Sequence, residues 1–176
     1  VPSAQGSDRF IGWTGQQCDS GDQVLVDKNF NLIHKVSDGA KTLAAADIDN
    51  DGKQDLAAIS LFNGQIKTLI NQGGGNFDAT SIASDVNYPT ALDFFDWDSD
   101  GDQDLLVAEY GSRLIKVYLN NGNGGFTHSN DISLDNAKIY AIAIADLNED
   151  GHPDLVTSAF RSDTSGNLQT LVDSIR

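Results

Sequence analysis

Three short acidic loops in this sequence have the residue types and spacing of a metal-binding site. The loops begin at Asp47, Asp96 and Asp146, and each carries a carboxylate or amide at relative positions 1, 3, 5 and 9 with a glycine at position 6. Side-chain oxygens on alternate residues can converge on one hard cation, and the glycine permits the sharp bend. A backbone carbonyl at position 7 adds a further oxygen. The pattern predicts one metal site in each loop.

The composition of the ligand set indicates which cation would bind. Six to eight oxygens without nitrogen or sulfur suit Ca²⁺, whereas Mg²⁺ needs tighter octahedral geometry and Zn²⁺ prefers His or Cys. An EF-hand is excluded because position 12 is Ala58, Val107 or Thr157 instead of a bidentate Glu, and because the flanking segments resemble strands. We therefore predict calcium as the cofactor, and a metal-free Asp-Gly hairpin turn is the alternative.

The charge of the chain is concentrated in these loops. The net charge is -15, from 26 acidic and 11 basic residues, and eleven of the acidic side chains are loop aspartates at positions 1, 3, 5 and 9. Carboxylates this close repel one another unless a cation neutralises them. Nucleic acid is not expected as a partner, because its recognition needs clustered Lys and Arg. No apolar run is long enough for a membrane span.

The loops recur with a nearly constant period. Their first aspartates lie 49 and then 50 residues apart, and a period of this length is typical of solenoids, propellers and arrays. Each repeat contains four short runs without a 3.6-residue apolar pattern, so we predict an all-β fold. The first two runs, which flank the loop, are apolar and are expected to lie deepest. The third alternates and ends in an Asn- and Gly-rich turn, and the fourth is more polar.

The two ends of the sequence contain incomplete repeats. Residues 9–13, 23–26 and 29–36 are predicted to be strands two to four of a unit that lacks the acidic loop, and residues 167–172 to be the third strand of the last unit. The predicted total is fourteen strands. The predicted repeat units are approximately 8–39, 40–88, 89–138 and 139–176, of which the first and the last are incomplete.

The loops, the Asn- and Gly-rich turns that precede Phe77 and Phe126, and the period together resemble the FG-GAP/VCBS repeat family, whose blades also build integrin α-subunit propellers. The resemblance covers nearly the whole chain. It implies a single partial β-propeller over residues 1–176, with about three and a half four-stranded blades and Ca²⁺ in the first hairpin of each blade. The residues that match the family's ligand positions are Asp47, Asp49, Asp51 and Asp55, then Asp96, Asp98, Asp100 and Asp104, then Asp146, Asn148, Asp150 and Asp154, with carbonyls from Lys53, Asp102 and His152.

The third loop and the ring as a whole depart from the family pattern. Asn148 at position 3 keeps an oxygen but removes one negative charge, so the third of the three calcium sites is expected to be the weakest. Family members usually carry seven blades. Because the chain starts at strand two and stops at strand three, two copies are expected to complete one ring as a homo-oligomer. Head-to-tail joining into a fibre and a fragment of a longer chain are alternatives.

The sequence contains little indication of a catalytic site. His34, His128 and His152 occupy unrelated repeat positions and are expected to be surface residues, and no nucleophile motif is present. We therefore predict that the chain is not an enzyme.

The aromatic residues offer possible sugar contacts. Trp13 and Trp97 could stack on sugar rings, yet Trp97 occupies loop position 2, where the other repeats have Ile48 and Leu147. Packing between blades is the favoured explanation for Trp97, and packing is likewise expected for Tyr88, Tyr110, Tyr118 and Tyr140.

The cysteine and methionine content bears on localisation. Cys18 is the only cysteine, so no intrachain disulfide can form, and the absence of Met even at position 1 suggests a processed chain from which a signal peptide has been removed. We expect a secreted, extracellular binding or adhesion module, lectin-like in one interpretation, whose partner is a glycan or an extracellular protein. The alternatives are a structural subunit of an extracellular fibre or assembly, and the propeller of a polysaccharide-degrading enzyme.

Overall fold

A computed structural model of the chain describes residues 23–26, 32–36, 40–60, 63–134, 137–145, 147–149, 154–160 and 168–174. Every regular element in these ranges is a β-strand, which confirms the all-β prediction. The strands are β1 (Gln23–Val26), β2 (Leu32–Val36), β3 (Ala40–Ala46), β4 (Asp55–Ser60), β5 (Ile66–Gly73), β6 (Asn76–Ala83), β7 (Pro89–Phe95), β8 (Asp104–Glu109), β9 (Leu114–Asn120), β10 (Phe126–Ser133), β11 (Lys138–Ala145), β12 (Asp154–Phe160) and β13 (Leu168–Ser174).

The strands form four antiparallel sheets in which consecutive strands are neighbours. Strands β3 to β6 make one four-stranded sheet and β7 to β10 another, and we call these the first and second blades. Strands β11 to β13 form a three-stranded sheet, the third blade, and β1 pairs with β2. The first strands of the blades pack side by side, with β7 between β3 and β11. This arrangement is a β-propeller of four-stranded blades, as predicted.

The second blade is buried on both faces. Leu105 and Val107 of β8 pack against the first blade, and Leu106 and Ala108 of the same strand pack against the third. This follows from the strand's two-residue period, which turns successive side chains to opposite faces. All six residues of β8 are buried, and a strand covered on both faces has the continuous apolar sequence seen here.

The depth of the first strands differs from the prediction. The second strands, β4 and β8, are the most buried, but β3, β7 and β11 are only partly buried. A first strand forms the edge of its sheet, so its apolar sequence reflects contact with the neighbouring first strands and not full enclosure. The polar fourth strands, β6 and β10, are largely exposed as expected.

Each blade begins with the same irregularity. The pairing of the first and second strands shifts at Lys41 in the first blade, at Thr90 in the second and at Tyr140 in the third, which leaves one unpaired residue each time. Such β-bulges re-aim a side chain out of the ladder. Thr90 uses this freedom to donate a 2.8 Å hydrogen bond to the carbonyl of Ile139 in the next blade. The bulge therefore contributes to contact between neighbouring blades.

Several sequence predictions about single residues can be compared with the structure. Trp97 is half-buried between the second and third blades, and Tyr118 is buried so that its pKa is raised to about 12. Tyr88 is 65% exposed, so the packing role predicted for this tyrosine is wrong, whereas Tyr140 is 48% exposed and still packs edge to face against Tyr110. His128 is a surface residue as predicted, and its ring lies 2.8 Å from Asp131.

Other predictions fall outside the described part of the chain. These concern residues 9–13, Trp13, Cys18 and the side chain of His34. Within the described ranges, no helix has the length and apolar character needed to cross a bilayer.

Candidate metal centres

The acidic loops connect the first and second strands of the blades. The first loop, residues 47–55, leaves β3 and enters β4, and the second loop, residues 96–104, does the same between β7 and β8. Antiparallel pairing brings the ends together, because Ala46 lies opposite Asp55 and Phe95 lies opposite Asp104. The hairpin position predicted for the loops is therefore confirmed.

The aspartate at position 9 fastens each loop to its blade. Asp55 is fully buried, and its two carboxylate oxygens accept backbone hydrogen bonds from Ile48 at 2.8 Å and from Asn71 at 2.7 Å. Asp104 is also fully buried and accepts the equivalent bonds from Trp97 and Asn120, both at 2.7 Å. One carboxylate thus joins the loop to the end of the third strand.

The aspartate at position 1 shapes the turn of the loop. Asp47 accepts hydrogen bonds from the backbone of Asp51 at 3.1 Å and of Gly52 at 2.9 Å, and Asp96 accepts the same pair from Asp100 and Gly101. These bonds require a tight bend, which position 6 provides with a φ of 85° in Gly52 and 96° in Gly101. A side chain at either position would be strained by its left-handed backbone.

A second left-handed residue occurs at position 4 of all three loops. The φ angles are 59° at Asn50, 63° at Ser99 and 59° at Glu149. Only asparagine among these residues favours this conformation, so residue type does not predict it consistently. The repeated strain implies that the hydrogen bonds of the loop, rather than the residue type, impose the backbone path.

Three carboxylates converge in each of the first two loops. Oxygens of Asp47, Asp49 and Asp55 lie within 4.8 Å of one another, as do oxygens of Asp96, Asp98 and Asp104. All the atoms that could coordinate an ion are carboxylate oxygens, the ligands that hard divalent cations prefer. The residues present therefore fit a metal ion at positions 1, 3 and 9 of these two loops.

The electrostatics of the clusters are those of uncompensated negative charge. Burial raises the pKa of Asp49, and the carboxylates of Asp51 and Asp55 raise it further. Burial likewise raises the pKa of Asp104, with backbone hydrogen bonds opposing the shift and Asp98 adding to it. A bound cation would offset this repulsion and lower the pKa of these carboxyl groups, because it favours their ionised form.

The position 5 aspartates lie outside the convergent groups. Asp51 pairs with the ammonium of Lys53, whose hydrogen bond lowers the pKa of Asp51, and Asp100 accepts the backbone N–H of Asp102 at 2.9 Å. The ligand role predicted for Asp51 and Asp100 stays a prediction, as does the carbonyl role of Lys53 and Asp102. A bound ion would have to compete with Lys53 for Asp51.

The third loop is described only in part. Asp154 is buried and accepts the backbone N–H of Leu147 at 2.9 Å, which repeats the fastening seen in the other loops. The amide of Asn148 donates a 3.4 Å hydrogen bond to the other oxygen of Asp154. A metal ion in the third loop would compete with this amide for the Asp154 carboxylate. Asp146, Asp150 and His152 lie outside the described residues, and the third metal site stays a prediction.

Asn71 and Asn120 contribute to the loops in a way that the sequence analysis missed. Both belong to the Asn- and Gly-rich turns that follow the third strands, and each supplies a backbone donor to the position 9 aspartate. Their side chains also bind the loop, with Asn71 donating to the carbonyl of Gln54 at 3.0 Å and Asn120 to that of Gln103 at 3.1 Å. Their constant separation of 16 residues from Asp55 and Asp104 was the available indication.

The first loop is also bonded to the second blade. Asn120 donates a buried 2.8 Å hydrogen bond to the carbonyl of Ile48, and Asn50 donates at 2.7 Å to Asp102 of the second loop. Ile48 itself is fully buried and lies close to Gly124. The loops therefore form part of the contact between blades. A change in the conformation of a loop should affect how the blades pack.

Comparison with protein families finds the FG-GAP-like repeat twice, over residues 47–107 and 96–157. Each match begins at the first aspartate of an acidic loop and ends in the second strand of the following blade. No curated protein matches the sequence. The two matches together span more than half of the 176 residues, and they coincide with the blades and loops described above. The chain therefore belongs to the FG-GAP-like repeat family.

Proposed function

We propose that this chain is a calcium-stabilised, extracellular β-propeller module that binds a glycan or an extracellular protein. The observation that carries the calcium proposal is the convergence of three carboxylates within 4.8 Å in equivalent loops of two blades. An all-oxygen set on a flexible loop matches the large, adaptable coordination shell of Ca²⁺ better than the strict octahedron of Mg²⁺.

Calcium would act on stability through the structure of the loops. An ion that neutralises Asp47 and Asp49 would remove their mutual repulsion and hold the first loop in its folded shape. The same loop contacts the second blade through Ile48 and Asn50. An ion that binds only the folded protein therefore stabilises both the loop and the contact between blades.

The expected strength of these sites supports the proposed extracellular location. The loops are largely exposed, and Asp51 is partly neutralised by Lys53, so the site has fewer free charges than the sequence suggests. Sites of this kind in extracellular modules bind with dissociation constants of about 10⁻⁴ to 10⁻³ M, which suits the calcium concentration outside cells.

A binding role is favoured over catalysis by the environment of the carboxylates. Asp55 and Asp104 each use both oxygens to accept backbone N–H groups. Carboxylates held in this way are suited to fixing a loop and to sharing a cation, whereas an acid or base must exchange protons with a substrate.

The test of this proposal is ligand binding with and without calcium. A glycan array and a panel of extracellular matrix proteins are probed with the wild-type chain and with the Asp49→Asn/Asp98→Asn double variant, in calcium and in EDTA. We expect calcium-dependent binding by the wild type and weakened binding by the variant. Absence of binding in both conditions would contradict the binding role.

A second candidate role, a subunit of an assembly, is supported by loop position 2. Ile48 is fully buried by the second blade at this position, while the equivalent Leu147 is 56% exposed. A further blade from another copy would cover Leu147 as the second blade covers Ile48. Light scattering across a concentration series tests this proposal: mass that grows with concentration, and less so for Leu147→Asn, supports it, and a monomer at all concentrations contradicts it.

A further inference from the structure

A second distinctive surface lies at the end of the blades opposite the acidic loops. Strands β7 and β11 run from this end into their loops, and β8 returns to it, so the starts of β7 and β11 and the turn after β8 lie together. Five side chains of this region form what we call the tyrosine patch, and they are Tyr88, Tyr110, Arg113, Lys138 and Tyr140.

Two tyrosines of the patch present large exposed rings. Tyr88 is 65% exposed and Tyr140 is 48% exposed, and Leu147 is the one other large hydrophobic residue so exposed in the described ranges. Tyr88 leads into the second blade, which is covered on both faces, so an uncovered blade face does not account for its exposure. Exposed aromatic surface with a polar tip is typical of binding sites.

The backbone of the patch is strained. Tyr88 has a φ of 50° and Arg113 a φ of 63°, and the other left-handed residues besides glycine in the described ranges are the position 4 residues of the acidic loops. A bulky side chain in this region of φ is costly, and such strain concentrates at functional sites. Hydrogen bonds from the backbone of Tyr110 to the carbonyl of Tyr88, and of Gly111 to that of Asn87, both at 3.0 Å, hold the two segments together.

The patch joins two blades through a hydroxyl and a cation. The ammonium of Lys138, in the third blade, donates a 2.8 Å hydrogen bond to the hydroxyl of Tyr110, in the second. The rings of Tyr110 and Tyr140 meet edge to face with their centroids 5.4 Å apart. The Lys138 hydrogen bond lowers the pKa of Tyr110, and Arg113 contributes in the same direction. The ammonium of Lys138 therefore lies against these rings, 4.7 Å from the centre of the Tyr110 ring, and the charge of Arg113 also acts on Tyr110, in a chain whose net charge is -15.

The described carboxylates nearest in sequence to Arg113 and Lys138 are Glu109 and Asp131, and Asp131 pairs with His128. Glu109 is fully buried, accepts a hydrogen bond from the hydroxyl of Ser112, and lies 3.2 Å from the ammonium of Lys116. Its charge is thus compensated within the second blade. Among the described residues, no carboxylate forms an ion pair with Lys138 or Arg113, so their positive charge is available to a ligand.

We propose that the tyrosine patch binds an acidic saccharide, a hexuronate unit of a polysaccharide chain. The apolar C–H face of the sugar ring stacks on Tyr88, and its carboxylate is held by Lys138 and Arg113, while the tyrosine hydroxyls accept or donate hydrogen bonds to the sugar. The combination of exposed rings and cations matches a ligand that is both ring-shaped and anionic. This assignment rests on the proposed role as a binding module and specifies the ligand class.

The proposal is tested by binding of trigalacturonate to the calcium-loaded chain, measured by titration calorimetry. We expect binding that weakens about tenfold or more in Tyr88→Ala and in Lys138→Gln. His128→Ala, which removes an exposed ring on β10 outside the patch and the acidic loops, is the matched control and should bind as the wild type does. A neutral trigalactoside should bind at least about tenfold more weakly than trigalacturonate, since it lacks the carboxylates.

Two results would overturn the assignment. One is that a triglutamate peptide binds as tightly as trigalacturonate and that Tyr88→Ala does not weaken this binding. This result would indicate that the patch binds acidic peptides or attracts any negative charge. The other is no trigalacturonate binding at millimolar concentration by a chain whose melting temperature still rises with calcium. That result would reject the patch while leaving the calcium proposal intact, whereas loss of the calcium response itself would reject the proposed function.

Discussion

Aspartates that look equivalent in the sequence have separate roles in the structure. Asp55 and Asp104 are buried and accept two backbone hydrogen bonds each, while Asp49 and Asp98 are more accessible and face the carboxylate cluster. In the proposed calcium site, position 9 would therefore combine loop closure with metal binding, and position 3 would serve metal binding alone. This difference can be measured by comparing two conservative substitutions in the first loop.

We expect Asp49→Asn and Asp55→Asn to differ in their dependence on calcium. Asp55→Asn places an NH₂ group against a backbone donor, so it should lower the free energy of unfolding by about 2 kcal/mol in EDTA, and by more in calcium because a metal ligand is lost as well. Asp49→Asn removes a charge that is repelled by Asp51 and Asp55, so it should not lower stability in EDTA. In calcium it should lower stability, because it removes a charged ligand of the proposed site. Urea denaturation in both buffers measures this. A calcium-independent loss for Asp49→Asn would contradict its assignment as a ligand.

Asp93 gives a prediction about pH. Burial raises the pKa of Asp93 above its ordinary value of 3.8, with the backbone N–H of Phe94 opposing the shift, and the first and third blades have Ala44 and Ala143 at this position. A raised folded-state pKa means that the ionised carboxylate destabilises the fold above that pKa, and that the cost disappears as the pH falls below the unfolded value.

Asp93→Ala should therefore raise the melting temperature at pH 7, and the gain should shrink as the pH is lowered toward 4. Thermal unfolding of both proteins at saturating calcium, over this pH range, measures the difference directly. A gain that is constant or increases in acid would show that burial of the charge is not the cause.

At the scale of elements, the turn after the third strand connects loops and blades. Asn120 and Asn71 occupy equivalent positions, but only Asn120 bonds to a neighbouring blade, through the carbonyl of Ile48, and it is nearly fully buried. Asn71 bonds to Gln54 and to the backbone of Gly73 within its own blade, in more exposed surroundings. The two residues form a natural pair for measuring the contact between blades.

Asn120→Ala should reduce the free energy of unfolding by about 2 to 3 kcal/mol, because it leaves two carbonyls without a donor in a buried site. Asn71→Ala should cost about 1 kcal/mol, because water can replace its exposed bonds. Chemical denaturation in calcium compares them. Equal costs for the two variants would indicate that the hydrogen bond between blades adds little.

The sequence predicted those features that depend on local chemistry. The acidic loops, their hairpin position, the alternating third strands and the exposed fourth strands all follow from residue types and short spacings. The partial exposure of the first strands, the exposure of Tyr88 and the bond from Asn120 to Ile48 depend on which elements become neighbours. Such features depend on the packing of blades that are about fifty residues apart in the chain, and residue type alone does not specify them.

At the scale of the molecule, the two ends of the blades have different chemistry. One end carries the acidic loops, which are suited to cations, and the other carries the tyrosine patch with Lys138 and Arg113. The central claim is that calcium in the loops stabilises the whole propeller, since the loops contribute to the contact between blades as well as to their own hairpins.

The most direct test is thermal unfolding as a function of free calcium, from EDTA to about 10 mM, which is about ten- to a hundredfold above the dissociation constants of about 10⁻⁴ to 10⁻³ M expected for extracellular modules. Each site that binds only the folded state adds about 2.7 kcal/mol at a hundredfold excess over its dissociation constant, which is roughly 5 to 10 °C in melting temperature for a chain of this size. We predict a rise of at least this extent, little response to magnesium, and a much smaller rise in the Asp49→Asn/Asp98→Asn double variant. An identical melting temperature in calcium and in EDTA would contradict the account.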